Sequence, residues 1–427
     1  MSAAVGVSVN ASVNDTGNRL LTRLRQERAE AESLGLWRQR RLFDAQLVDF
    51  SSNDYLGLAR DPRLTEALAE GARRFGVGSR ASPLVSGYHD AHLLLEQALC
   101  AATGHEAALL FCSGFAANLA LCHGLFNDTD ALVADKFIHA SMIDGVKASG
   151  ATLRRYPHCS LEGAARLLER FPGTALLTES IFSMDGDLAP LSSLAALCRA
   201  NNSLLIVDDA HGFGIIGENG MGASRLALDS SAECGVNGDT GTGSKPAGQV
   251  LPALQVITFG KAMGCQGAAI LGSQELIEHL VARARHYIYS TALSPAQAHV
   301  AKVAIECIQA GAERERLLSN IRYFTGRAAK LNLPLLDAGQ PGIANSPIQL
   351  LPIASNALCL DAGNILKSKG FLVGAIRPPT VPSPRLRITL SACHSKDEID
   401  ALLQSLTTLP GIVADLPDPR GDAADGA

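Results

Sequence analysis

Six short apolar runs, separated by longer amphipathic stretches, constrain the fold of this 427-residue chain more than any other feature. Each run is almost continuously hydrophobic, which is typical of strands that are covered on both faces. Such strands with helices between them predict an α/β fold with a mainly parallel central sheet. The strand candidates are 107–111, 131–134, 174–178, 204–207, 254–257 and 268–271.

Changes of pattern along the chain predict four parts. Residues 1–50 are expected to form an N-terminal tail and a helix, 51–294 a large domain, 295–414 a smaller C-terminal α+β domain, and 415–427 a disordered tail. Within the large domain, 225–250 is rich in Gly, Ser, Asp and Asn and predicts a surface excursion. Residues 48–57 are interpreted as a loop that enters the large domain.

Charge and hydropathy exclude several classes of function. The formal net charge is only -5, so no strong field favours nucleic acid or an anionic membrane. No apolar run approaches the roughly 18 residues of a membrane span, and the N-terminal segment lacks the basic residues of a signal peptide. Ten cysteines occur singly without metal-ligand spacing. We therefore expect a cytoplasmic protein with buried thiols and no metal site.

Polar residues follow several of the predicted strands. In a parallel sheet the ligand site lies outside the carboxyl ends of the strands, so these residues are candidates for a site. The strongest signal is Asp208-Asp-Ala-His211, where a buried strand ends in two acids and a histidine. The other candidates of this kind are Ser113-Gly114, Glu179, Ser183, Thr258 and Lys261.

Three segments, 208–211, 258–261 (Thr-Phe-Gly-Lys) and 182–187 (Phe-Ser-Met-Asp-Gly-Asp), resemble the α-oxoamine synthases. Segments 51–57, 111–118 and 377–382 extend the resemblance, which covers about Ser51 to Leu406. The resemblance implies an acyltransferase with pyridoxal 5'-phosphate (PLP) as cofactor. It also implies fold type I of the PLP-dependent transferases, named after aspartate aminotransferase.

The resemblance assigns catalytic roles to residues of this chain. Lys261 is expected to hold PLP as a Schiff base and to act as general base, and Asp208 to pair with the pyridine nitrogen. His139 is expected to stack on the ring, while His211 and Ser183 reach its phenolic oxygen.

The cofactor phosphate is expected at the start of a helix. Ser113-Gly114-Phe115 opens a helix directly after a strand, where free backbone N–H groups bind anions, and Thr258 adds a hydroxyl. The resemblance implies that Ser290 and Thr291 reach the phosphate from the neighbouring subunit, so a homodimer would share its active sites. Glu179 is a further candidate for cofactor binding.

The same resemblance suggests substrate ligands. Arg387 is expected to bind the amino acid's carboxylate, although it could be a plain strand arginine. Arg38 is expected to meet the acyl group, but Arg40 and Arg41 compete for that role and all three could line a solvated helix face. Asn53 and Thr380 are expected near the acyl group, where a short link, Ser383-Pro384, departs from the family pattern.

The implied reaction condenses L-alanine with a pimeloyl thioester, carried by coenzyme A or acyl carrier protein, in biotin biosynthesis. Sister activities, of the glycine C-acetyltransferase or serine palmitoyltransferase type, use the same machinery and stay open. A non-catalytic partner subunit of the same fold is a third reading, but such a chain would be expected to have lost Lys261.

Overall fold

The computed structural model describes residues 18–34, 36–227, 249–336 and 346–413, which form two compact units, 1–47 and 48–427. In the first unit, helix α1 (Arg19–Ser33) begins at Asn18, whose side chain accepts hydrogen bonds from the amides of Leu20 and Leu21. Two ion pairs at i,i+4 spacing, Arg23–Glu27 and Arg28–Glu32, support the helix.

The second unit contains a seven-stranded sheet in the order β2-β10-β9-β6-β5-β3-β4. All neighbouring strands are parallel except at β10, which runs antiparallel to both β2 and β9. The predicted mainly parallel sheet is therefore confirmed. Its strands are β2 (Ala107–Phe111), β3 (Ala131–Asp135), β4 (Thr152–Tyr156), β5 (Ala175–Glu179), β6 (Leu204–Asp208), β9 (Leu254–Thr258) and β10 (Ala268–Gly272).

All six predicted strands are present, displaced by at most one residue at either end. The sequence signal was strong because β5 and β10 are buried along their whole length, as expected of strands with helices on both faces. Strand β4 was missed. It lies at the edge of the sheet and carries exposed arginines in place of an apolar run.

Thirteen helices accompany the strands in the described part of the chain. In the second unit they are α2 (Pro62–Phe75), α3 (Asp90–Thr103), α4 (Gly114–Leu125), α5 (Ala140–Ser149), α6 (Leu161–Arg170), α7 (Leu191–Ala200), α8 (Gln274–Arg283), α9 (Arg285–Ile288), α10 (Pro295–Ala310), α11 (Ala312–Lys330), α12 (Asn356–Ser368) and α13 (Lys396–Thr407). The helix α4 follows β2, and α5 follows β3, so each begins at the carboxyl edge of the sheet.

Helix α2 shows how local chemistry sets a helix boundary. Asp61 caps it by accepting the amide of Arg63, Pro62 occupies its first turn, and Gly76 ends it with φ +82°. A Cβ on Gly71 would stand 3.0 Å from Ala296 Cα, so this glycine allows α2 and α10 to pack closely.

A second sheet of four strands has the order β1-β12-β13-β11. Its members are β1 (Val48–Phe50), β11 (Ile348–Pro352), β12 (Phe371–Ile376) and β13 (Arg385–Thr389). Residues 48–50 were interpreted as part of a loop, and that interpretation was wrong, because they pair in parallel with β12. Three residues are too few to show a periodicity in sequence. The domain boundaries expected at 50 and 294 stay predictions.

Two expectations fall largely outside the described residues. The excursion at 225–250 is described only at its ends, where β7 (Leu226–Ala227) pairs antiparallel with β8 (Gln249–Val250). The expected disordered tail, 415–427, lies wholly outside the described residues. Among the helices that the structure describes, each is too short or too polar to cross a membrane.

Candidate active site

A cavity of about 180 Å³ opens where the carboxyl ends of the central strands meet the N-termini of α4 and α5. Parallel strands place their last residues at one edge, so side chains far apart in sequence converge there. The lining residues are Gly114, Phe115, Asn118, His139, Ser141, Glu179, Asp208, Ala210, His211, Val256, Thr258 and Lys261.

Lys261 lies three residues beyond the end of β9 and lines this cavity. Desolvation by burial lowers the pKa of its amine to about 8, with Asp208 and Glu179 opposing the shift and Arg387 adding to it. A lysine with a pKa near neutrality has a large fraction of free amine, which is the form that attacks a carbonyl. The cavity therefore contains an activated amine.

Asp208 ends β6 and is held by two donors. Its Oδ2 accepts from Nδ2 of Asn118 at 2.7 Å, and its Oδ1 accepts from the backbone N–H of Ala210 at 3.1 Å. Each carboxylate oxygen has two lone-pair directions, so one direction on each oxygen stays available. A buried carboxylate of this kind suits a protonated ring nitrogen.

Glu179 pairs in register with Asp208 on the adjacent strand β5. Burial raises the pKa of Glu179 well above its ordinary value, and the charge of Asp208 raises it further. Its Oε2 accepts from the amide of Ser183 at 3.2 Å, whereas Oε1 is buried without a hydrogen-bond partner. Two adjacent buried carboxyls do not both ionise readily, so Glu179 is the neutral member of the pair.

His139 caps the N-terminus of α5 and lines the cavity with an exposed ring. Its Nδ1 lies 2.7 Å from Oγ of Ser141 and accepts the backbone N–H of the same residue at 3.3 Å. The ring of Phe115 meets the His139 ring edge-on, with centroids 6.5 Å apart.

His211 lines the cavity from the turn after β6 and is fully buried. Burial lowers its pKa well below the ordinary value, and the nearby cations Lys261 and Arg387 lower it further. His211 is therefore neutral, and its Nδ1 is 2.5 Å from the phenol oxygen of Tyr55.

The N-terminus of α4 provides an anion site at one end of the cavity. Ser113 caps the helix through its Oγ, which accepts the amide of Ala116 at 3.3 Å, and Gly114 and Phe115 form the first turn. A Cβ on Gly114 would lie 3.5 Å from Cβ of Thr258, so this helix start and the end of β9 adjoin. The first-turn amides have no acceptor within the helix and can bind a phosphate.

Ser290 and Thr291 do not line this cavity. Both are exposed, and with Cys112 and His286 they line a separate cavity of about 70 Å³. Cys112 is itself exposed, as is Cys393, so the expectation of buried thiols was wrong for these two residues. A cysteine's surroundings cannot be read from its sequence neighbours, and both lie in exposed turns near a strand or helix end.

Arg387 lies on β13 with its guanidinium almost fully buried. It donates from Nε to the carbonyl of Ser183 at 2.8 Å, from Nη1 to Thr389 Oγ1 at 3.1 Å, and from Nη2 to Asn53 Oδ1 at 3.1 Å. These contacts link the second sheet to the segment that follows β5. Arginine has five N–H groups, so those beyond these three bonds are shared between the Tyr55 phenol, which also bonds Arg387, and an incoming carboxylate.

Thr380 is not among the residues that line the cavity. Thr380 is exposed in the turn after β12, where its amide donates to the carbonyl of Arg377 at 3.0 Å. Arg38 belongs to the N-terminal unit. The roles expected for both residues in acyl binding stay predictions.

A second polar cluster is built around Asp135, the last residue of β3. The ring of His158 donates from Nδ1 to Asp135 and from Nε2 to Asp187, each at 2.8 Å. Asp135, His158 and Cys159 also have their ligand atoms within 4.8 Å of one another, so a possible metal-ligand set exists that sequence spacing had not indicated. Both ring nitrogens of His158 already bond carboxylates, and we assign the cluster a structural role.

The donors and acceptors of the cavity fit PLP. The helix start of α4 and Thr258 suit a phosphate, Asp208 suits the ring nitrogen, and Lys261 suits the aldehyde carbon. Oε1 of Glu179 and Oδ1 of Asn118 are buried without a hydrogen-bond partner. Buried polar atoms are usually hydrogen-bonded, so these two atoms are consistent with a polar ligand in the cavity.

Sequence reasoning missed Asn118, Ser141, Ala210, Val256 and Tyr55. A signal existed for two of them. Asn118 is four residues after Gly114 and therefore on the same helix face, and Ser141 stands two residues after His139 at a helix start. Tyr55 and Val256 have no such marker, because only tertiary packing brings them to the site.

Residues 45–406 match the family described as aminotransferase class I and II. Among curated proteins, the chain is 40% identical over 402 residues to 8-amino-7-oxononanoate synthase of Photobacterium profundum, covering 90% of this chain and 95% of the relative. It is 44% identical over 367 residues to the enzyme of the same name from Methylococcus capsulatus, covering 85% and 89%.

Solved structures of related enzymes have a similar fold over most of the chain. A serine palmitoyltransferase from Sphingomonas wittichii superimposes with a TM-score of 0.79 at 25% identity, covering 92% of this chain and 97% of that one. An 8-amino-7-oxononanoate synthase from Francisella tularensis superimposes with a TM-score of 0.70 at 30% identity, covering 85% and 98%.

Proposed function

The chain belongs to the family of class I and II aminotransferases and is a PLP-dependent α-oxoamine synthase, and we propose that its site condenses L-alanine with a pimeloyl thioester. The observation that carries this proposal is the amine of Lys261, with its lowered pKa, beside buried Asp208 in one cavity. The relatives at 40% and 44% identity support the product 8-amino-7-oxononanoate.

The overall chemistry balances with three bonds broken at the substrates: the Cα–H bond of alanine, the carbon–sulfur bond of the thioester and the bond from Cα to the carboxyl carbon. A carbon–carbon bond forms between the α-carbon of alanine and the thioester carbonyl, and the carbon–sulfur bond breaks to release the thiol. The alanine carboxyl group leaves as carbon dioxide, and a proton returns to the α-carbon. Bound PLP supplies an electron sink for the negative charge that develops at this carbon.

Lys261 is the residue that moves the α-proton. Its side chain reaches the cavity from the turn after β9, and a pKa of about 8 matches the work of a general base near neutral pH. With PLP bound, Lys261 would hold its aldehyde carbon, and the amine of the same residue would be the base that removes that proton.

Asp208 keeps a proton on the ring nitrogen of the cofactor. Asn118 and the amide of Ala210 hold the carboxylate in one orientation and leave one lone-pair direction on each oxygen available. Neutral Glu179 next to it adds no second negative charge. The site thus stabilises one cation at this point without competing carboxylates.

Arg387 is proposed to bind the amino acid's carboxylate, with Asn53 and Ser183 fixing its guanidinium. Planar guanidinium and planar carboxylate match in geometry, and burial strengthens the pair. His139 and His211 would then confine the ring from above and at its oxygen side, with Ser183 near the same oxygen.

A homodimer is proposed to complete the site. Ser290 and Thr291 lie exposed in a different cavity from Lys261, which supports the proposal that they serve another copy of the chain. Large apolar side chains near them are exposed as well, including Tyr289 at 71% and Val85 at 80%. Such side chains are often covered by a partner.

The cellular setting and the acyl carrier belong to the proposal too. We propose a cytoplasmic enzyme, supported by the nine described cysteines, which are all free thiols. Either coenzyme A or acyl carrier protein could carry the pimeloyl group, and a direct comparison of the two thioesters as substrates would decide between them.

The test is a thiol-release assay on purified PLP-loaded protein with L-alanine and pimeloyl-CoA. We expect release that depends on alanine and disappears in Lys261→Ala, while Lys302→Ala, which removes an exposed lysine paired with Glu306, keeps full activity. Alanine-dependent release that survives in Lys261→Ala would contradict the proposed role of Lys261.

Serine palmitoyltransferase activity is the second candidate, since a protein of that name superimposes at the highest TM-score quoted above. Competition between alanine, glycine and serine, each with pimeloyl-CoA and palmitoyl-CoA, separates the candidates. Faster turnover of serine with palmitoyl-CoA than of alanine with pimeloyl-CoA would overturn the proposed substrate pair.

Shared sites can be tested with hybrid dimers. Lys261→Ala and Thr291→Asp are each expected to be inactive alone, the second because an added carboxylate repels the phosphate. Co-expressed hybrids should regain activity, because one of their two sites contains neither change. Activity in no hybrid, with dimers confirmed by sedimentation, would show that Thr291 serves its own subunit.

A further inference from the structure

A chain of hydrogen bonds runs from Asp208 to His139 through two residues without an assigned role. Asn118 Nδ2 lies 2.7 Å from Asp208 Oδ2 and 3.0 Å from Ser141 Oγ. The Oγ of Ser141 in turn lies 2.7 Å from His139 Nδ1. Asn118 is 2% exposed and Ser141 is fully buried, so water does not compete for these bonds.

The direction of the first two bonds follows from what each group can donate. An ionised carboxylate only accepts, so the amide of Asn118 must present its NH₂ group to Asp208. That group has two hydrogens, and the second is directed to Ser141 Oγ. A reversed amide would set its oxygen against the carboxylate, so this orientation is determined.

The backbone N–H of Ser141 sets the direction of the third bond. It donates to His139 Nδ1 at 3.3 Å, and a backbone N–H cannot act as an acceptor. Nδ1 of His139 is therefore the unprotonated nitrogen. Ser141 Oγ accepts from Asn118 and keeps one hydrogen, which it donates to the same Nδ1 at 2.7 Å.

We propose that Asn118 and Ser141 are positioning residues that hold His139 as the neutral tautomer with its proton on Nε2. The ring is exposed and meets Phe115 only edge-on, so packing does not fix its orientation. The hydrogen bonds at Nδ1 fix the orientation of the ring. His139 therefore offers the cavity a hydrogen-bond donor at Nε2 and cannot take a proton at Nδ1 without losing the backbone N–H of Ser141 and reversing the bond to its hydroxyl.

This arrangement also links His139 to Asp208 through Asn118. The side-chain amide of Asn118 donates both to the Asp208 carboxylate and to the Ser141 hydroxyl. Loss of Asn118 therefore removes one hydrogen bond at Asp208 and one at Ser141. The inference rests on the proposed function in one respect, namely the identity of the group that accepts the hydrogen bond from His139 Nε2. The tautomer itself is a property of the protein and can be measured without substrate.

The experiment is nitrogen-15 NMR on the full-length protein with labelled histidine, at pH 8, with and without PLP. The His139 signals are assigned by their loss in His139→Gln. We expect Nε2 protonated and Nδ1 unprotonated in both forms of the wild-type protein. A protonated Nδ1 in the wild type would overturn the proposal outright, whatever the variants do.

Variants test the two positioning residues. In Ser141→Ala the ratio of the Nε2–H to the Nδ1–H tautomer should fall by about fivefold, as expected for loss of one net hydrogen bond. Asn118→Leu should lower this tautomer ratio less than Ser141→Ala does. Ser141→Thr keeps a hydroxyl and should keep the ratio of the wild-type protein. The matched control is Ser149→Ala on the same helix, whose hydroxyl donates to the Val146 carbonyl and accepts the amide of Ala151, and contacts no part of the Asn118–Ser141–His139 chain. An unchanged ratio in folded Ser141→Ala would refute the role of Ser141.

Failure of the proposed function stays distinguishable from failure of this inference. If wild-type protein releases no thiol with alanine but shows the Nε2–H tautomer, the substrate assignment fails and the positioning role stands. If thiol release is normal and Nδ1 is protonated, the reverse holds.

Discussion

The phenol oxygen of Tyr55 lies 2.5 Å from Nδ1 of His211, and both side chains are buried. Burial raises the pKa of Tyr55 to about 12, so the phenol keeps its proton. This proton has two acceptors, His211 Nδ1 at 2.5 Å and Asn53 Oδ1 at 3.3 Å, and the shorter contact favours His211. Burial also keeps His211 neutral, because its pKa lies well below the ordinary value. When Nδ1 accepts from the phenol, His211 carries its own proton on Nε2.

Tyr55→Phe should therefore weaken catalysis without abolishing it. The variant leaves His211 Nδ1 without its donor, so its tautomer is no longer fixed, and loss of one hydrogen bond predicts a kcat/KM about tenfold lower. Steady-state kinetics measure this effect. The control is Tyr323→Phe, which removes a phenol bonded to Asp400 in α13 and should leave kcat/KM unchanged. Equal kinetics for both variants would exclude a role for Tyr55.

Glu179 and Asp208 should respond oppositely to removal of their charge. Burial and the charge of Asp208 raise the pKa of Glu179, so Glu179→Gln replaces one neutral group by another and should keep kcat within about threefold. Asp208→Asn removes the carboxylate that faces the ring nitrogen and should lower kcat by at least roughly a hundredfold. A large loss in Glu179→Gln would show that Glu179 is ionised or donates its proton.

Covalent attachment of PLP to Lys261 should depend on pH through the amine. Because desolvation lowers the pKa of Lys261 to about 8, its nucleophilic free-amine form should increase as pH rises, with a midpoint at about pH 8, and should level off roughly one unit above that value. The rate of the absorbance change on mixing cofactor-free protein with PLP measures this. Parallel reactions of PLP with a free lysine derivative correct for titration of PLP itself. A rate still rising steeply above pH 10 would contradict the lowered pKa.

Arg387→Lys should impair alanine binding more than turnover. Lysine keeps the charge but cannot bond Ser183, Thr389 and Asn53 together while offering a planar pair of donors. We expect the KM for alanine to rise about ten- to a hundredfold. Arg327→Lys, at an exposed arginine bonded to Asp400, is the matched control. An unchanged KM in Arg387→Lys would assign the carboxylate to another residue.

The His158 cluster should contribute to stability in a pH-dependent way. Burial alone would lower the pKa of His158, but hydrogen bonds to Asp135 and Asp187 outweigh it and raise the pKa to about 12. The stability from this charge is thus complete below about pH 6.5, the ordinary value, and is lost as pH rises towards 12.

His158→Ala should lower the free energy of unfolding by roughly 3–5 kcal/mol at pH 7, because two buried carboxylates lose their cation. Denaturant titrations at pH 7 and pH 10 measure this, and the difference from wild type should shrink at the higher pH. His299→Ala, at a partly exposed histidine 3.8 Å from Glu70, serves as control. A difference that grows with pH would show that His158 is neutral in the folded protein.

The central sheet could be predicted from sequence because its strands are buried on both faces and leave uninterrupted apolar runs. The residues at their carboxyl ends followed from the geometry of parallel strands, which is why Lys261, Asp208, Glu179 and His211 were found. Family resemblance, rather than the residues alone, supplied the roles of these side chains.

The rest depends on contacts that leave no local trace. Tyr55 meets His211 across 156 positions of sequence, and Arg387 meets Asn53 across 334. Neither pair shows a spacing or a periodicity. Similarly, β4 lacks an apolar run because it is an edge strand, and the orientation of Asn118 follows only from its partners.

The place of β1 in the second sheet has a consequence for how the chain is made. Val48–Phe50 pair with Phe371–Val373, more than three hundred residues later in the chain. At about 5–20 residues per second, the ribosome needs roughly 15–65 s to reach the partner strand. The segment that forms β1 therefore stays without its partner strand during most of the synthesis of the chain. Its length of three residues offers little for a neighbouring nascent chain to pair with.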